Sequence, residues 1–190
     1  MKYIFLYLLF AWSAIAIAQD SPINTQTLNA LLGTTRLRAS EPINIDSSWV
    51  HFLANHSQYE LQEVPNATHK QLIYQYAQQG IAVRTRKTGV AIASLDEFVA
   101  SISIDTKPAA QQLLPYGCHS DMNCKAFKKQ LKLLEFKYVK SASKTSDKTL
   151  RKEVFANETV TVALLYKKNV LQNITLIANL DAMYGGLLIK

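Results

Sequence analysis

Residues 160–181 read VTVALLYKKNVLQNITLIANLD, and this stretch decides the fold class. In residues 160–164, apolar side chains alternate with small or polar ones with a period of two, which is the period of a β-strand. Residues 167–169, KKN, are polar turn residues between this run and a second apolar run. We therefore predict two antiparallel strands joined by a turn, within an antiparallel sheet.

The first half of the chain carries a similar pattern. Residues 81–85, IAVRT, alternate in the same way before a turn at 86–89, and IASLD at 92–96 echoes IANLD at 177–181. Further strand-like pairs are 72–77 with 150–156 and 59–63 with 136–140. We interpret these echoes as a tandem duplication. The alternative is a chance match, because short runs of Val, Ile and Thr resemble one another.

Two amphipathic helices are predicted, each with an N-cap residue before apolar side chains at spacings of three and four. The first has Trp49, Phe52, Leu53 and His56 behind Asp46 or Ser47, and the second has Cys124, Phe127, Leu131 and Leu134 behind Asp121 or Asn123. A shorter helix precedes each, at 25–32 and 108–114. The predicted class is α+β, a duplicated helix-helix-four-strand antiparallel unit with helices on one sheet face. The units are 19–104 and 105–190, as two halves or as one compact domain.

The order helix, helix, four antiparallel strands, twice over in an exported chain, resembles the tandem architecture of secreted β-lactamase inhibitor proteins. The resemblance is architectural and covers most of the chain after residue 18. It carries over no site residue, because no sequence motif of that family is matched here.

The first 18 residues predict export. Lys2 is followed by an apolar stretch and then by small residues that end in Ala-Ile-Ala at 16–18, which are the three parts of a secretory signal peptide. The alternative is an uncleaved anchor helix, which the short apolar part disfavours. We expect a periplasmic or secreted protein that begins at Gln19.

Two cysteines, Cys118 and Cys124, are the only ones in the chain. In an oxidising compartment they predict a structural disulfide that closes a short loop. A redox pair or a metal site with His119 and Asp121 is the alternative. The five intervening residues disfavour redox chemistry, which uses Cys-x-x-Cys spacing.

The charge of the chain is unevenly distributed. The formal net charge is +7, and residues 124–168 hold twelve Lys or Arg against four acids. A positive lobe attracts anionic partners, although a solvated helix face is the commoner use of such lysines. Its helix presents Lys125, Lys128, Lys129 and Lys132. A smaller patch holds Arg84, Arg86 and Lys87, and with Lys167 and Lys168 it would form one basic rim if the duplication holds.

Sequence motifs for catalysis are missing. The chain has no His-x-x-x-His, no Gly-x-Ser-x-Gly and no glycine-rich phosphate loop, so we expect no cofactor and favour a protein without enzymatic activity. The leading hypothesis is an inhibitor, immunity protein or envelope adaptor that inserts Lys87, Tyr166 or Lys167 into an acidic protein cleft. The alternatives are a binder of anionic polymers or membrane surfaces and a hydrolase with a spatially assembled site. Nucleic acid is disfavoured, since the basic block is rich in Lys and poor in Arg.

Overall fold

The computed structural model describes residues 22–37, 48–65, 71–86, 95–106, 113–139 and 150–183. The predicted signal peptide at 1–18 lies outside these ranges. Among the described helices, none has the length and apolar character needed to cross a bilayer.

Eleven strands are present in the described part of the chain. They are β1 (Thr35–Leu37), β2 (Glu60–Val64), β3 (Gln71–Tyr76), β4 (Ile81–Arg86), β5 (Leu95–Asp105), β6 (Leu113–Leu114), β7 (Cys118–His119), β8 (Lys137–Val139), β9 (Leu150–Ala156), β10 (Val160–Lys167) and β11 (Val170–Ala178). The main sheet has the order β2-β3-β4-β5-β11-β10-β9-β8, every neighbouring pair is antiparallel, and β1 pairs with the beginning of β5. Strands β6 and β7 form a separate hairpin.

The predicted hairpin at 160–181 is confirmed by β10 and β11. Lys168 and Asn169 at its turn have positive φ angles of 50° and 67°. Two consecutive positive φ angles match the twist of the flanking strands, and Asn tolerates this region better than most residues.

One face of the main sheet is covered by three short helical segments. These are a 3-10 segment at Thr25–Leu31, helix α1 at Ser48–Asn55 and helix α2 at Cys124–Leu133. Their buried side chains join one hydrophobic core with the inward-pointing residues of the sheet. A single row of paired residues runs across that face: Tyr74, Val83, Ile102, Leu176, Val162 and Phe155. The core is therefore continuous across the central pairing of β5 with β11.

The predicted helix-helix-four-strand duplication is wrong. Strands dominate the described chain, and residues 25–31 form a 3-10 segment because Thr25, Leu28 and Leu31, spaced by three, are all buried on one side. In the second half, Leu113 and Leu114 of the predicted helix at 108–114 lie in a strand, and residues 108–112 are outside the described ranges.

The echo between 92–96 and 177–181 also does not correspond to one structure. Leu95 and Asp96 begin β5, whereas Asp181 lies in the short helix α3 at Leu180–Met183. Two segments of similar sequence therefore adopt different secondary structure, because their tertiary contacts differ. The resemblance to β-lactamase inhibitor proteins rested on the duplicated order and is carried no further.

Candidate docking face of the sheet

The face of the main sheet that points away from α1 and α2 is the candidate site, and we call it the open face. Its centre is formed by uncharged residues that the strand register places side by side: Ala82, Ser101, Ser103, Thr161, Ala163, Thr175 and Ile177. Arg84 borders this centre on β4, where it pairs with Ser101. A shallow cavity of about 390 Å³ lies on it, between Ile73 and Ile177. At one end, Phe98 packs under Leu180 of α3. Within the described ranges, no other helix packs on this face.

The centre of the open face is unusual for its short side chains. A solvent-facing strand surface ordinarily carries long polar residues that alternate with the core residues. Here the outward positions of β5 and β11 are mainly Ser, Thr and Asn, and Ile177 is 41% exposed. Depletion of charge at the centre of a surface patch is a property of protein interfaces.

A polar network fixes the middle of the open face. The Asn173 amide donates to Ser103 Oγ and to Asp105 Oδ1, both at 2.8 Å. The Thr175 hydroxyl donates to Asn173 Oδ1 at 2.8 Å. These bonds join β5 to β11 through side chains as well as through the backbone ladder, so the surface is held in one conformation for binding.

Charge lies at the margins of this face and is mostly positive. The outward-pointing residues of the described strands include five cations and two acids. The cations are Arg84, Arg86, Lys137, Lys152 and Lys167, and the acids are Glu60 and Asp105. A face with an uncharged centre and a basic margin complements an acidic protein surface.

The predicted single basic rim is wrong. Arg86 pairs with Phe98 near the beginning of β5, while Asn173, directly after the β11 bulge, pairs with Asp105 at the end of β5. Lys167 and Lys168 lie beyond that second end. At about 3.3 Å per residue the two groups are separated by roughly 20 Å or more along the strands. Lys87 lies outside the described residues.

Tyr166 does not lie on a binding surface. Its side chain is only 1% exposed and points into the core with α2. Burial raises the pKa of its hydroxyl, and among the described residues this hydroxyl has no hydrogen-bond partner. Sequence alternation alone could have placed Tyr166 inward, because it follows Val162 and Leu164 at a spacing of two.

The lysines of α2 do not form a uniform row. Lys125, Lys129 and Lys132 are exposed, as predicted. Lys128 instead points to Glu153, with its Nζ 3.3 Å from Glu153 Oε2 and 4.9 Å from the centre of the Tyr138 ring. Lys128 is therefore drawn towards the sheet by its ion pair and reaches water with only 38% of its side chain exposed.

Glu153 is a buried ion-pair residue that was not predicted from the sequence. Its carboxylate is 3% exposed on the core side of β9, where Arg151 Nε donates to Oε1 at 2.5 Å. Burial acts to raise the pKa of Glu153, but hydrogen bonds with Tyr138, Arg151 and Lys128 outweigh it and lower the pKa. The signal in the sequence was its position, because Glu153 precedes the buried Phe155 by two residues on one strand.

The predicted disulfide is not formed, since Cys118 and Cys124 are both free thiols. Cys118 is turned into the core by the β6–β7 hairpin, and burial raises the pKa of its thiol to about 12. Cys124 is half-buried at the beginning of α2. A thiol with so high a pKa is a poor nucleophile and a poor metal ligand at neutral pH.

A metal site was the other role considered for the two cysteines. The described residues contain no group of three or more His, Cys, Asp and Glu side chains placed to hold a metal ion. No protein-family model, curated protein or solved structure matches the chain.

Proposed function

We propose that this protein is an exported, non-enzymatic protein-interaction module, such as a periplasmic inhibitor, immunity protein or envelope adaptor. The observation that carries the proposal is the open face, an uncharged and ordered sheet surface with a basic margin. Export rests on the signal-peptide pattern at residues 1–18.

The partner in this proposal is a folded protein with an acidic surface. Short side chains at the centre of the open face let another backbone approach closely, which favours shape complementarity over deep pockets. Arg84 lies beside this centre and offers a planar guanidinium for a partner carboxylate. The cations at the margin raise the rate at which an acidic partner meets this face. Ile73 and Ile177 provide apolar surface that loses its water when the partner binds.

A pull-down with matched variants tests this function. The tagged protein is expressed at native level and recovered at about 0.1 M and about 0.5 M salt, where exposed charge contacts are screened to different degrees. Ile177→Asp places a charge on the open face, and Val50→Asp makes a matched change at a 42% exposed position of α1, on the opposite side of the sheet.

We expect one protein to be retained at both salt concentrations by the native chain and by Val50→Asp, and to be lost with Ile177→Asp. Arg84→Glu should also release it, because reversing this charge repels an acidic partner. Retention by all three variants would show that the open face is not the interface.

A second candidate function is binding of anionic polymers or membrane surfaces. It is favoured by the exposed Lys125, Lys129 and Lys132 on α2, on the opposite side of the molecule from the open face. This function predicts recovery of polyanion or lipid at about 0.1 M salt and its loss at about 0.5 M. Lys129→Glu would then abolish recovery, and Ile177→Asp would leave it unchanged.

A further inference from the structure

A cleft rich in glutamine lies at the corner where β3 turns into β4, away from the centre of the open face. Its volume is about 400 Å³, within the usual range for small-molecule sites. We call it the amide cleft, and the residues that line it are Gln58, Tyr59, Glu60, Gln75, Tyr76, Ala77, Gln78 and Gln79.

The wall of the amide cleft at residues 77–79 is held from two sides. Gly80 closes this 3-10 turn with a left-handed φ of 64°, and its carbonyl accepts a hydrogen bond from the Asp105 N–H at 2.8 Å. A Cβ at Gly80 would lie 3.1 Å from the Asp105 Cβ, so this close approach requires glycine. From the other side, the Ile23 N–H donates to Gln79 Oε1 at 2.7 Å.

The opposite wall of the cleft is anchored by aromatic packing. The Tyr59 ring contacts Tyr74 and Tyr76 edge to face, with ring centres 5.0 and 5.8 Å apart. The Tyr76 hydroxyl donates to the His56 carbonyl at 3.2 Å. Both walls are therefore positioned before any ligand arrives, which lowers the entropy lost on binding.

The chemistry of the lining is that of paired donors and acceptors without positive charge. Each Gln amide both donates and accepts hydrogen bonds, and Glu60 adds an acceptor that repels anions. Ala77 and the half-buried Tyr59 ring are the small apolar parts of the lining. A peptide would need pockets for larger apolar side chains than these provide.

From this combination we propose that the amide cleft binds a neutral carbohydrate. Sugar hydroxyl groups donate and accept in the same paired manner as the amides, and a sugar ring also presents C–H groups to Tyr59. The cleft shares Glu60 with the margin of the open face, but neither Ile177 nor Arg84 lines it. Sugar binding can therefore be tested separately from the docking function.

An NMR titration of the full chain tests the proposal through the side-chain amide signals of its glutamines. The probes are D-glucose, N-acetyl-D-glucosamine and their β-1,4-linked disaccharides, raised to about 20 mM to capture weak binding. D-Glucuronic acid is the charged comparison. The variants are Gln75→Leu in the half-buried part of the cleft and Gln78→Leu on its exposed wall, with Gln62→Leu on the neighbouring strand β2 as the control.

We expect at least one neutral sugar to shift the cleft amides saturably, and each cleft variant to weaken its binding about tenfold through the loss of one hydrogen-bonding group. Gln62→Leu should bind as the native chain does. Glucuronic acid should bind more weakly than glucose, and Glu60→Gln should reduce that difference. The proposal is overturned if no probe shifts these signals, if both cleft variants bind normally or if the charged sugar binds better.

Discussion

Replacing Glu153 by Gln removes the charge of a carboxylate that ties α2 to the sheet, and it keeps the shape of the side chain. The native carboxylate accepts from Arg151 at 2.5 Å and lies 3.3 Å from Lys128 Nζ. Charge-assisted bonds of this kind contribute about 1.5–3 kcal/mol. Because both cations also reach water and can turn to it, we expect a loss of about 2 kcal/mol at pH 7, below the cost of leaving a buried charge unpaired.

The same ion cluster predicts how stability depends on pH. The pKa of Glu153 is lowered in the folded protein from its ordinary value of 4.5. A lowered folded pKa gives stability that is fully present above pH 4.5 and is lost as the pH falls through the folded value. The Glu153→Gln variant lacks this contribution, so its stability should approach that of the native chain in acid.

Urea denaturation followed by circular dichroism at pH 7 and at pH 3 measures both effects. The matched control is Glu158→Gln, which makes the same change at the exposed turn between β9 and β10, where we expect less than about 0.5 kcal/mol. Equal losses of stability for the two variants at pH 7 would show that the Glu153 ion cluster does not stabilise the fold, as would a difference between them that grows in acid.

Three further outcomes follow from single positions. Gly80→Ala should destabilise the protein by about 1–2 kcal/mol in the same urea assay, because of its positive φ and the 3.1 Å approach to Asp105; a neutral result would show that the corner relaxes freely. Tyr166→Phe should leave stability unchanged or raise it, since the hydroxyl is buried with no partner among the described residues; a loss of 2 kcal/mol would reveal a bond to this hydroxyl. With its thiol pKa at about 12, Cys118 should react with iodoacetamide at pH 8 only after unfolding, as read by mass spectrometry; labelling of the folded chain would contradict its burial.

The strands could be predicted because their signal is local. Residues 81–85 and 160–164 alternate with a period of two, and both lie in strands of the main sheet with the expected inward residues. The turn at 167–169 was equally visible. Apolar and polar residues alternate along a strand in any sheet that has one covered face and one solvent-facing face, whichever strands are its neighbours.

The helical segments were harder to predict, because apolar residues three positions apart are compatible with both an α-helix and a 3-10 helix. Residues 25–31 bury every third side chain, which a 3-10 segment satisfies and an α-helix only approximates. Asp96 and Asp181 occupy similar letter patterns but different elements, since the pairing of β1 with β5 extends the strand at one site only. Long-range pairing of this kind leaves no local trace.

The candidate site could be predicted only in part. The basic excess and Arg84 were visible in the sequence, but the separation of Arg86 from Lys167 depends on the antiparallel register of β5 with β11. The ion pair of Lys128 with Glu153 joins a helix residue to a strand residue 25 positions later in the chain. The net charge of the segment does not reveal such a pair, so both residues were expected to lie on the surface. The uncharged centre of the open face appears only when four strands are laid side by side.

Photo-crosslinking shows whether the open face contacts a partner protein, because it reports which surface of the chain lies against that partner. A photoreactive amino acid is placed at Thr175 on the open face or at Lys129 on α2, in the chain expressed at native level, and the adducts are identified by mass spectrometry. We predict one protein adduct from position 175 that persists at about 0.5 M salt, and none from position 129. Adducts formed only from position 129, or none from position 175 when a partner co-purifies, would contradict the open face as the docking surface.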